Sequence, residues 1–558
     1  MGPTARRIVP GLVTGLGLGL LALGPGLRRG FLLSYDMVFV PRMPFGAALP
    51  GLAPPRAVPS DLVIAAASRI LPADIAQKLI LLAIFVLGCA GMAALLDREP
   101  LLARLAGGVC YAWNPYVGER LIIGQWALLL GYAGLPWVLR AVLARGDDPP
   151  QTPPAFLPGG THPPGPPSGE IHPPRPPLGG TARPPRPPWA GLLCLSLVPA
   201  VIGGFAAMAI TALVAVPAAL CTRSARRAAV TLAALAAGSL PWLIPSLQHT
   251  VYADPAGVAA FAARADTPFG SVGSLLMLGG AWNAQTVPKG YGGAWSALWL
   301  AVVIVALAGY LASVRNRRWP GLGIAAAAGL LIACIGVTAA GRDLLRSVTW
   351  PGAAVLRDAQ QFVAPLALAE SAGLGVVVAR AMKPGPFGTK RAHDLAGVAL
   401  GALLLLVPVL LLPGLAWGAA GRLRPAWYPA AWLAAARMID ASPARGDVLL
   451  LPWQTYRSPS WNHGEAVFDP WSLLLSRPVI WNDGTRVGTV ELAPDDPRAR
   501  RLDGVIRGTG PLTATLGAAG VRFVVDDADG PGQQVRARLP GAVVVAAEPG
   551  LTVYRLPA

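Results

Sequence analysis

Long apolar runs recur along this chain and constrain its fold more than any other feature. Runs such as Ile8–Leu27, Ala294–Val314 and Leu395–Leu415 reach about 20 residues, the length that an α-helix needs to cross the hydrocarbon core of a membrane. Only 13% of the residues are charged, whereas soluble proteins carry about 25%. We therefore predict a polytopic α-helical membrane protein.

The basic residues between the apolar runs predict the topology. The run Gly191–Cys221 is too long for one ordinary span, and arginine clusters flank it around Arg186 and Arg223. Cytoplasmic loops carry an excess of arginine and lysine, so both flanks belong on the cytoplasmic side and the chain must turn back near Gly203-Gly204. Applied to the whole chain, this rule predicts about 11 transmembrane helices in the plasma membrane, a cytoplasmic N-terminus and an extracytoplasmic C-terminal domain.

Composition divides the chain into two parts. Residues 1–416 hold the apolar runs, and their first outer loop, 30–77, leads into a predicted amphipathic helix, Ser60–Leu81, in the membrane interface. Residues 147–188 are rich in proline, which predicts a disordered cytoplasmic loop. Residues 417–558 predict an extracytoplasmic, strand-rich α/β domain, because turn residues separate these strand-like runs: Val448–Leu451, Val479–Trp481, Val521–Val525, Ala542–Ala546 and Leu551–Tyr554.

The net charge of +18 does not indicate a nucleic-acid partner. The arginines are clustered between apolar runs, as loop charges that face anionic lipid are, and aromatic residues do not interleave with them. The five cysteines lie within or beside apolar runs, so we expect neither a disulfide framework nor a CxxC metal site. Membrane lipid is therefore the partner that the composition predicts.

Carboxylates and arginines are mixed in the loops of the predicted outer face, whereas the inner loops carry mainly arginine. A carboxylate can accept the proton of an attacking hydroxyl, and arginines can bind a phosphate. Together these groups suit the transfer of a group from a lipid phosphate. Asp36 and Glu119 are the candidate catalytic acids, and the candidate substrate- and phosphate-binding residues are Tyr35, Arg42, Arg120, Gln125, His249, Arg357, Asp358 and Glu370.

Each of these candidates also has a structural interpretation. Asp36 and Arg42 could form a local ion pair that steadies the loop, and the adjacent pair Glu119-Arg120 could be solvated at the membrane interface. Glu370 lies within a predicted span, where an ionised group is costly. It either faces an outer cavity or pairs with a basic residue.

Several segments resemble known membrane proteins. A long outer loop after the first span, with an acid near its start and an amphipathic helix before the second span, resembles the GT-C superfamily of integral-membrane glycosyltransferases. Ala112–Leu130 (AWNPYVGERLIIGQWALLL) is similar to the membrane portion of actinobacterial arabinofuranosyltransferases. Leu356–Pro365 (LRDAQQFVAP), Leu516–Asp527 and Leu551–Ala558 resemble YfhO-like relatives of that superfamily.

The resemblance implies transfer of a sugar from a polyprenyl-phosphate donor to a glycan, lipid or protein acceptor of the cell envelope, on the outer face. It implies that Asp36 is the base or a metal-binding acid, and that Glu119 is a second acid. The family often has two adjacent acids in this loop, but Asp36 stands between Tyr35 and Met37. An inverting displacement without metal is therefore favoured, and a divalent metal cofactor stays open.

Two other functions fit the same residues. A transporter or flippase of an envelope lipid or solute would use the outer acids and Glu370 to bind its cargo or to couple protons. Such proteins commonly contain internal repeats, and we see no similarity between the two halves of this sequence. A non-catalytic envelope-assembly protein would have the same membrane helices but would not transfer sugar. The glycosyltransferase is favoured, and replacement of Asp36 separates it from both alternatives.

Overall fold

The computed structural model of this chain describes residues 3–48, 57–144, 189–248, 254–315, 318–347, 351–383, 390–527 and 533–557. The proline-rich segment 147–188 and the candidate residue His249 lie outside these residues. The described residues form a helical membrane part and a smaller C-terminal part that is built around a β-sheet.

The long helices of the membrane part are rich in Ala, Leu and Val, and the backbone groups in the interior of such a helix are bonded within it, as a membrane requires. They are α1 (Pro3–Leu23), α2 (Phe45–Ala48), α3 (Ser60–Ile70), α4 (Ala73–Leu95), α5 (Leu101–Ala112), α6 (Pro115–Ile122), α7 (Trp126–Val142), α8 (Trp189–Cys221), α9 (Ala225–Leu247), α10 (Gly257–Ala260), α11 (Gly270–Leu276), α12 (Ser296–Val314), α13 (Leu322–Ile335), α14 (Ala339–Ser347), α15 (Ala364–Ala381) and α16 (Lys390–Leu411). Pro351–Val363 is a 3₁₀ segment, and Ala416–Gly421 is a turn whose inner residues are left-handed.

Most of the remaining elements belong to the C-terminal part. Its helices are α17 (Ala430–Ala441), α18 (Trp471–Leu474), α19 (Pro497–Arg507), α20 (Thr513–Ala518) and α21 (Gln533–Ala537). The strands of the chain are β1 (Phe31–Leu32), β2 (Pro425–Ala426), β3 (Asp447–Leu451), β4 (Tyr456–Arg457), β5 (Val467–Phe468), β6 (Val479–Ile480), β7 (Arg486–Val487), β8 (Val490–Glu491), β9 (Val521–Asp526), β10 (Val543–Glu548) and β11 (Leu551–Arg555).

Six helices of the described residues are long and apolar enough to cross a membrane, or eight if two bent helix pairs each count as one span. One bent pair is α13 and α14, which meet at 87°. The predicted spans at α5 and α7 have only 12 and 17 residues. The chain is therefore a multi-pass membrane protein, but the predicted number of about 11 spans is not confirmed.

Helix α8 turns back on itself at Gly204. The backbone there has φ of 74° and ψ of −151°, which is not a helical conformation. The ring of Trp189, at the start of α8, lies 5.3 Å from the guanidinium carbon of Arg227, a few residues beyond the end of α8. A straight helix of 33 residues would separate its ends by about 48 Å. The chain therefore doubles back here, as the charge pattern predicts.

The predicted amphipathic helix Ser60–Leu81 is two helices, so this prediction was wrong in extent. Pro72 divides it, because proline lacks an N–H and holds the residue before it in an extended conformation. Leu71 accordingly has φ −126° and ψ 152°, α3 ends at Ile70, and α4 begins at Ala73. The polar residues of the second half therefore start a buried membrane helix.

Three side chains at the start of α4 hold the segment that follows α1. Asp74 accepts a hydrogen bond from the Gly30 amide at 3.1 Å, and Lys78 donates to the Gly30 carbonyl at 2.6 Å. Gln77 accepts from the Leu32 amide at 2.9 Å and donates to the Leu32 carbonyl at 2.6 Å. These buried contacts fix the strand β1 and so the start of the first outer loop.

The C-terminal part contains a mixed five-stranded sheet in the order β10-β11-β9-β3-β6, which confirms the five predicted strands. Strand β3 is parallel to β6 and β9, whereas β9, β11 and β10 are antiparallel to one another in turn. Alternate residues of a strand face opposite sides, so Leu449 packs in a cluster with Leu502 of α19. Val448 and Leu450 belong to the core that is continuous with the membrane part.

Candidate active site

The turn Ser34–Met37 carries Asp36 and is held against the end of α6. The Ser34 hydroxyl donates a hydrogen bond to the Ile122 carbonyl at 2.6 Å, and the Asp36 amide donates to the Ile123 carbonyl at 3.0 Å. Side chains on both sides of Asp36 are buried, whereas Asp36 itself is exposed. The fixed turn therefore directs one carboxylate outward.

We expect Gly124→Ala to destabilise the protein more than Gly290→Ala does. Both glycines have a left-handed backbone, with φ of 87° and 88°, so each alanine pays about 1–2 kcal/mol for that conformation. A Cβ at Gly124 would also lie 2.2 Å from the Met37 amide nitrogen and 2.4 Å from the Ser34 carbonyl oxygen, whereas nothing lies within 4 Å of one at Gly290. This overpacking adds about 1–3 kcal/mol.

Thermal unfolding of the two variants in detergent measures the difference. Gly290→Ala is the matched control, because it shares the backbone strain without the steric clash. Equal losses of Tm would mean that the turn around Asp36 can move away from α6.

The C-terminal part closes the other side of this turn. The Tyr456 hydroxyl donates to Oδ1 of Asp36 at 2.6 Å, and the rings of Tyr35 and Tyr456 lie 5.6 Å apart. The Tyr35 amide donates to the Ala466 carbonyl at 2.6 Å. The Tyr35 hydroxyl donates to Gln285, which belongs to the loop before α12. Asp36 therefore lies where the membrane part and the C-terminal part meet.

Asn114 begins the helix that carries the next two candidates. Its side-chain oxygen caps α6 by accepting from the Val117 amide at 3.0 Å. Its amide nitrogen donates to the Tyr132 hydroxyl at 3.1 Å and to the Cys110 carbonyl at 3.0 Å. Because Asn114 is fully buried, it fixes α6 relative to α5 and α7.

Glu119 and Arg120 are buried within α6, with 2% and 1% of their surfaces exposed. The interpretation of this pair as solvated at the membrane interface was therefore wrong. The asparagine cap starts a separate short helix, and Gly124, with φ of 87°, ends it before α7 begins at Trp126. Two ionisable side chains are thereby placed inside the protein.

The Arg120 guanidinium is a buried cation whose hydrogen-bonding capacity is incompletely used. Its carbon lies 5.3 Å from the centre of the Tyr116 ring. Its Nε and Nη1 are buried and have no hydrogen-bond partner among the described residues. Burying a charge in this way is costly unless an anion pairs with it. The site therefore suits an anionic ligand.

Asp358 interacts electrostatically with both Asp36 and Arg120. It accepts a hydrogen bond from Gln125 at 3.3 Å. The 3₁₀ segment departs from helical geometry at Asp358, where φ is −94° and ψ is 51°. Buried atoms without a partner among the described residues also include Oδ1 of Asp358, Oε1 of Gln125 and both amide atoms of Gln360. A polar ligand could satisfy this set.

Glu119 faces Asp266, a residue that sequence reasoning did not select as a site residue. Oε2 of Glu119 accepts from the Ala281 amide at 3.2 Å, and Oδ2 of Asp266 accepts from the Gly280 amide at 2.5 Å. The two carboxyl groups are within hydrogen-bonding range of each other. Burial, reinforced by the charge of Asp266, raises the pKa of Glu119 well above its ordinary value, and burial also raises the pKa of Asp266.

The remaining candidates are more scattered. Arg357 forms an ion pair with Asp495 of the C-terminal part at 3.6 Å and lies over the Phe261 ring at 5.0 Å, so it is already engaged at the junction. Arg42 is exposed. Glu370 is 2% exposed on α15, and its Oε1 has no hydrogen-bond partner within the described ranges.

The acidic residues do not assemble into a metal site. In the part of the chain that the structure describes, no three His, Cys, Asp or Glu side chains are grouped so as to hold a metal ion. The carboxylates near Asp36 are instead interleaved with a guanidinium and two amides. This donor set fits an anion or a polyol better than a divalent cation.

A cavity of about 480 Å³ opens beside the turn that carries Asp36. Both parts of the chain contribute to it, since it is lined by the first outer loop, the loop before α12 and the C-terminal part. Its polar lining comprises Tyr35, Gln285, Lys289, Arg422, Ser458 and Glu465.

No protein-family model and no curated protein matches this sequence. A cryo-EM structure of the arabinofuranosyltransferase AftD from mycobacteria matches 99% of the chain with 18% identity and a TM-score of 0.58. A structure of an AftD mutant matches 99% of it with 18% identity and a TM-score of 0.57. The chain spans 40% and 42% of these two AftD chains.

The match to the crystal structure of ArnT from Cupriavidus metallidurans covers 98% of this chain and 98% of the ArnT chain, with 14% identity. Its TM-score of 0.42 is too low to support an argument. The AftD match supports the fold alone at this level of identity. Over the matched region the chain therefore shares the fold of AftD, an arabinofuranosyltransferase of the kind that the sequence resembles.

Proposed function

We propose that this chain belongs to the GT-C superfamily and is a glycosyltransferase that moves a sugar from a polyprenyl-phosphate donor to a glycan or lipid acceptor of the cell envelope. One observation carries the proposal: the buried Arg120 guanidinium has two nitrogens without partners in the described part of the chain, and both Arg120 and the exposed Asp36 interact electrostatically with Asp358. A donor phosphate would pair with this guanidinium. Asp36 would accept the proton of the acceptor hydroxyl.

The reaction would be a single inverting displacement. Asp36 takes the proton of the acceptor hydroxyl while the hydroxyl oxygen attacks the anomeric carbon of the donor sugar. The new glycosidic bond forms on one face as the bond from the anomeric carbon to the phosphate oxygen breaks on the other. Polyprenyl phosphate leaves with the electron pair, and Arg120 neutralises its added charge. Asp36 then releases the proton to water.

Other side chains of the site would orient the substrates. Tyr456 holds one oxygen of Asp36 through its hydroxyl, so the base enters the reaction in a fixed orientation. Oε1 of Gln125 and both amide atoms of Gln360, which have no partner among the described residues, would bond to sugar hydroxyls. The cavity beside Tyr35, with its lysine, arginine, serine and glutamate, would receive the acceptor.

The site and the C-terminal part would face the extracytoplasmic side. Helix α7 begins at the site, next to Gln125, and the carbonyl of Val142 at its other end accepts a hydrogen bond from Arg227 at 3.1 Å. Arg227 also stacks on Trp189, so arginine-rich segments collect at that end. Cytoplasmic loops are enriched in arginine, which supports an outer location for the opposite end.

Purified protein in proteoliposomes, given a labelled polyprenyl-phosphate sugar and an envelope glycan, is expected to produce labelled glycan with inverted anomeric configuration. Product analysis by NMR reads the configuration. Folded protein that transfers no sugar from any polyprenyl-phosphate pentose or hexose would contradict the proposal. Movement of the labelled lipid across the bilayer without transfer would indicate a flippase instead.

A further inference from the structure

The proposed sugar-transfer reaction gives no role to Glu119 and Asp266, whose carboxyl groups lie together. Two successive backbone amides, those of Gly280 and Ala281, each donate to one of the two carboxyl groups. Gly280 has φ of 93°, a left-handed conformation that lets successive amides point toward one anionic site. Oε1 of Glu119 is buried and has no partner from a donor group in the described residues. Two ionised carboxylates cannot donate to each other, so a hydrogen bond between Glu119 and Asp266 needs a proton on one of them.

The surroundings favour the proton on Glu119. Burial is the largest influence on Glu119, followed by the charge of Asp266, and both raise its pKa; the charge of Arg120 opposes them. Asp266 is only partly buried, and the charge of Arg264 helps to keep it ionised. From the other elements, Tyr291 interacts electrostatically with Glu119, Asp266 and Glu370, and this interaction brings no positive charge to the pair.

We propose that Glu119 and Asp266 share one proton, with Asp266 acting as a positioning residue that keeps Glu119 neutral and so leaves the charge of Arg120 available to a phosphate anion. An ionised Glu119, next to Arg120 in sequence and buried with it, would instead neutralise the guanidinium inside the protein. This assignment rests on the proposed function for the source of the phosphate. It replaces the second-acid role that the family resemblance implies for Glu119.

Substitutions of the pair by amides test this assignment. In Asp266→Asn the new amide can donate to Glu119, which stabilises the ionised carboxylate, so Arg120 is neutralised. We expect the dissociation constant for polyprenyl phosphate and the KM for the donor to rise about tenfold or more, with a smaller change in kcat, since tenfold corresponds to about 1.4 kcal/mol. Adding Glu119→Gln to Asp266→Asn removes the competing carboxylate and should restore both constants to within about threefold of wild type.

The pH dependence provides a second readout. In Asp266→Asn, the pKa of Glu119 should fall toward its ordinary value, so the donor KM should improve as the pH is lowered toward about 5, where a carboxyl begins to be protonated. The double variant has no such titration and should not show this improvement. A residue that only supports the fold would produce neither the rescue nor the pH effect.

Binding of radiolabelled polyprenyl phosphate to the full-length protein in nanodiscs separates this inference from the proposed function. If Asp266→Asn binds as wild type does, or if the double variant binds no better than Asp266→Asn, the inference is wrong even when wild type transfers sugar. If wild type binds polyprenyl phosphate and the double variant restores binding, but no sugar is transferred, the inference stands and the proposed function fails.

Discussion

Asp36→Asn is expected to lower kcat for sugar transfer by about 10²- to 10⁴-fold, the range that a positioned general base contributes. The amide keeps the size of the side chain and an oxygen that can accept from Tyr456, so the turn should stay in place. The donor KM should change by no more than about threefold, because the proposed phosphate-binding residue is Arg120 and not Asp36. Initial rates with a labelled polyprenyl-phosphate sugar measure both constants.

Asp343→Asn is the control for this substitution. Asp343 is exposed on α14, pairs with Arg346 at 3.1 Å and is not one of the candidate site residues, so its replacement should leave kcat and KM unchanged. If Asp36→Asn kept full activity, Asp36 would not be the general base. Loss of activity accompanied by a Tm several degrees lower would indicate that Asp36 supports the fold instead of the chemistry.

Arg120→Met is expected to reduce transfer by about 10³-fold or more, since neutralisation of a leaving phosphate by one arginine is worth about 10³–10⁵ in rate in other phosphate enzymes. Its Tm should not fall, because the substitution removes a buried charge whose Nε and Nη1 have no partner in the described part of the chain. Polyprenyl phosphate should raise the Tm of wild type and not that of the variant.

Arg346→Met provides the comparison, since Arg346 is an exposed arginine on α14 whose loss should affect neither activity nor Tm. Scanning calorimetry or fluorescence in detergent, with and without polyprenyl phosphate, measures the stabilities. A marked fall in the Tm of ligand-free Arg120→Met would show that the guanidinium is a structural element already paired inside the protein. Stabilisation of that variant by the lipid phosphate would show that the anion binds elsewhere.

The fold could be predicted where local patterns determine it. The five strands of the C-terminal sheet follow from short β-branched runs between turn residues, and the reversal at Gly204 follows from arginines on both flanks of one apolar run. These signals lie within a few residues of the element that they specify. The number of spans depends instead on helix ends, which Pro72 and Gly124 move by several residues.

The site could be predicted in part. Asp36, Arg120, Gln125 and Asp358 are brought together, because the loops with mixed charge share one end of the bundle. The ion pair between Arg357 and Asp495 joins segments that are distant in the sequence, so no local pattern predicts it. Asp266 was overlooked for the same reason, although its place in a charged outer loop was visible in the sequence.

Helices α5 and α7 and the two arms of α8 form a group of unusually short membrane segments. Helix α5 has 12 residues and extends about 18 Å, and α7 has 17 residues and extends about 25 Å, whereas the hydrocarbon core is about 30 Å thick. Close approaches of Gly134 to Pro199 and of Gly131 to Ala207 pack both arms of α8 against α7. Helices α5 and α7 are largely buried, so the two short arms of α8 supply most of the lipid-facing surface of this group. Arms shorter than the hydrocarbon core favour a locally thinner bilayer, and we expect the stability of the protein to depend on acyl-chain length.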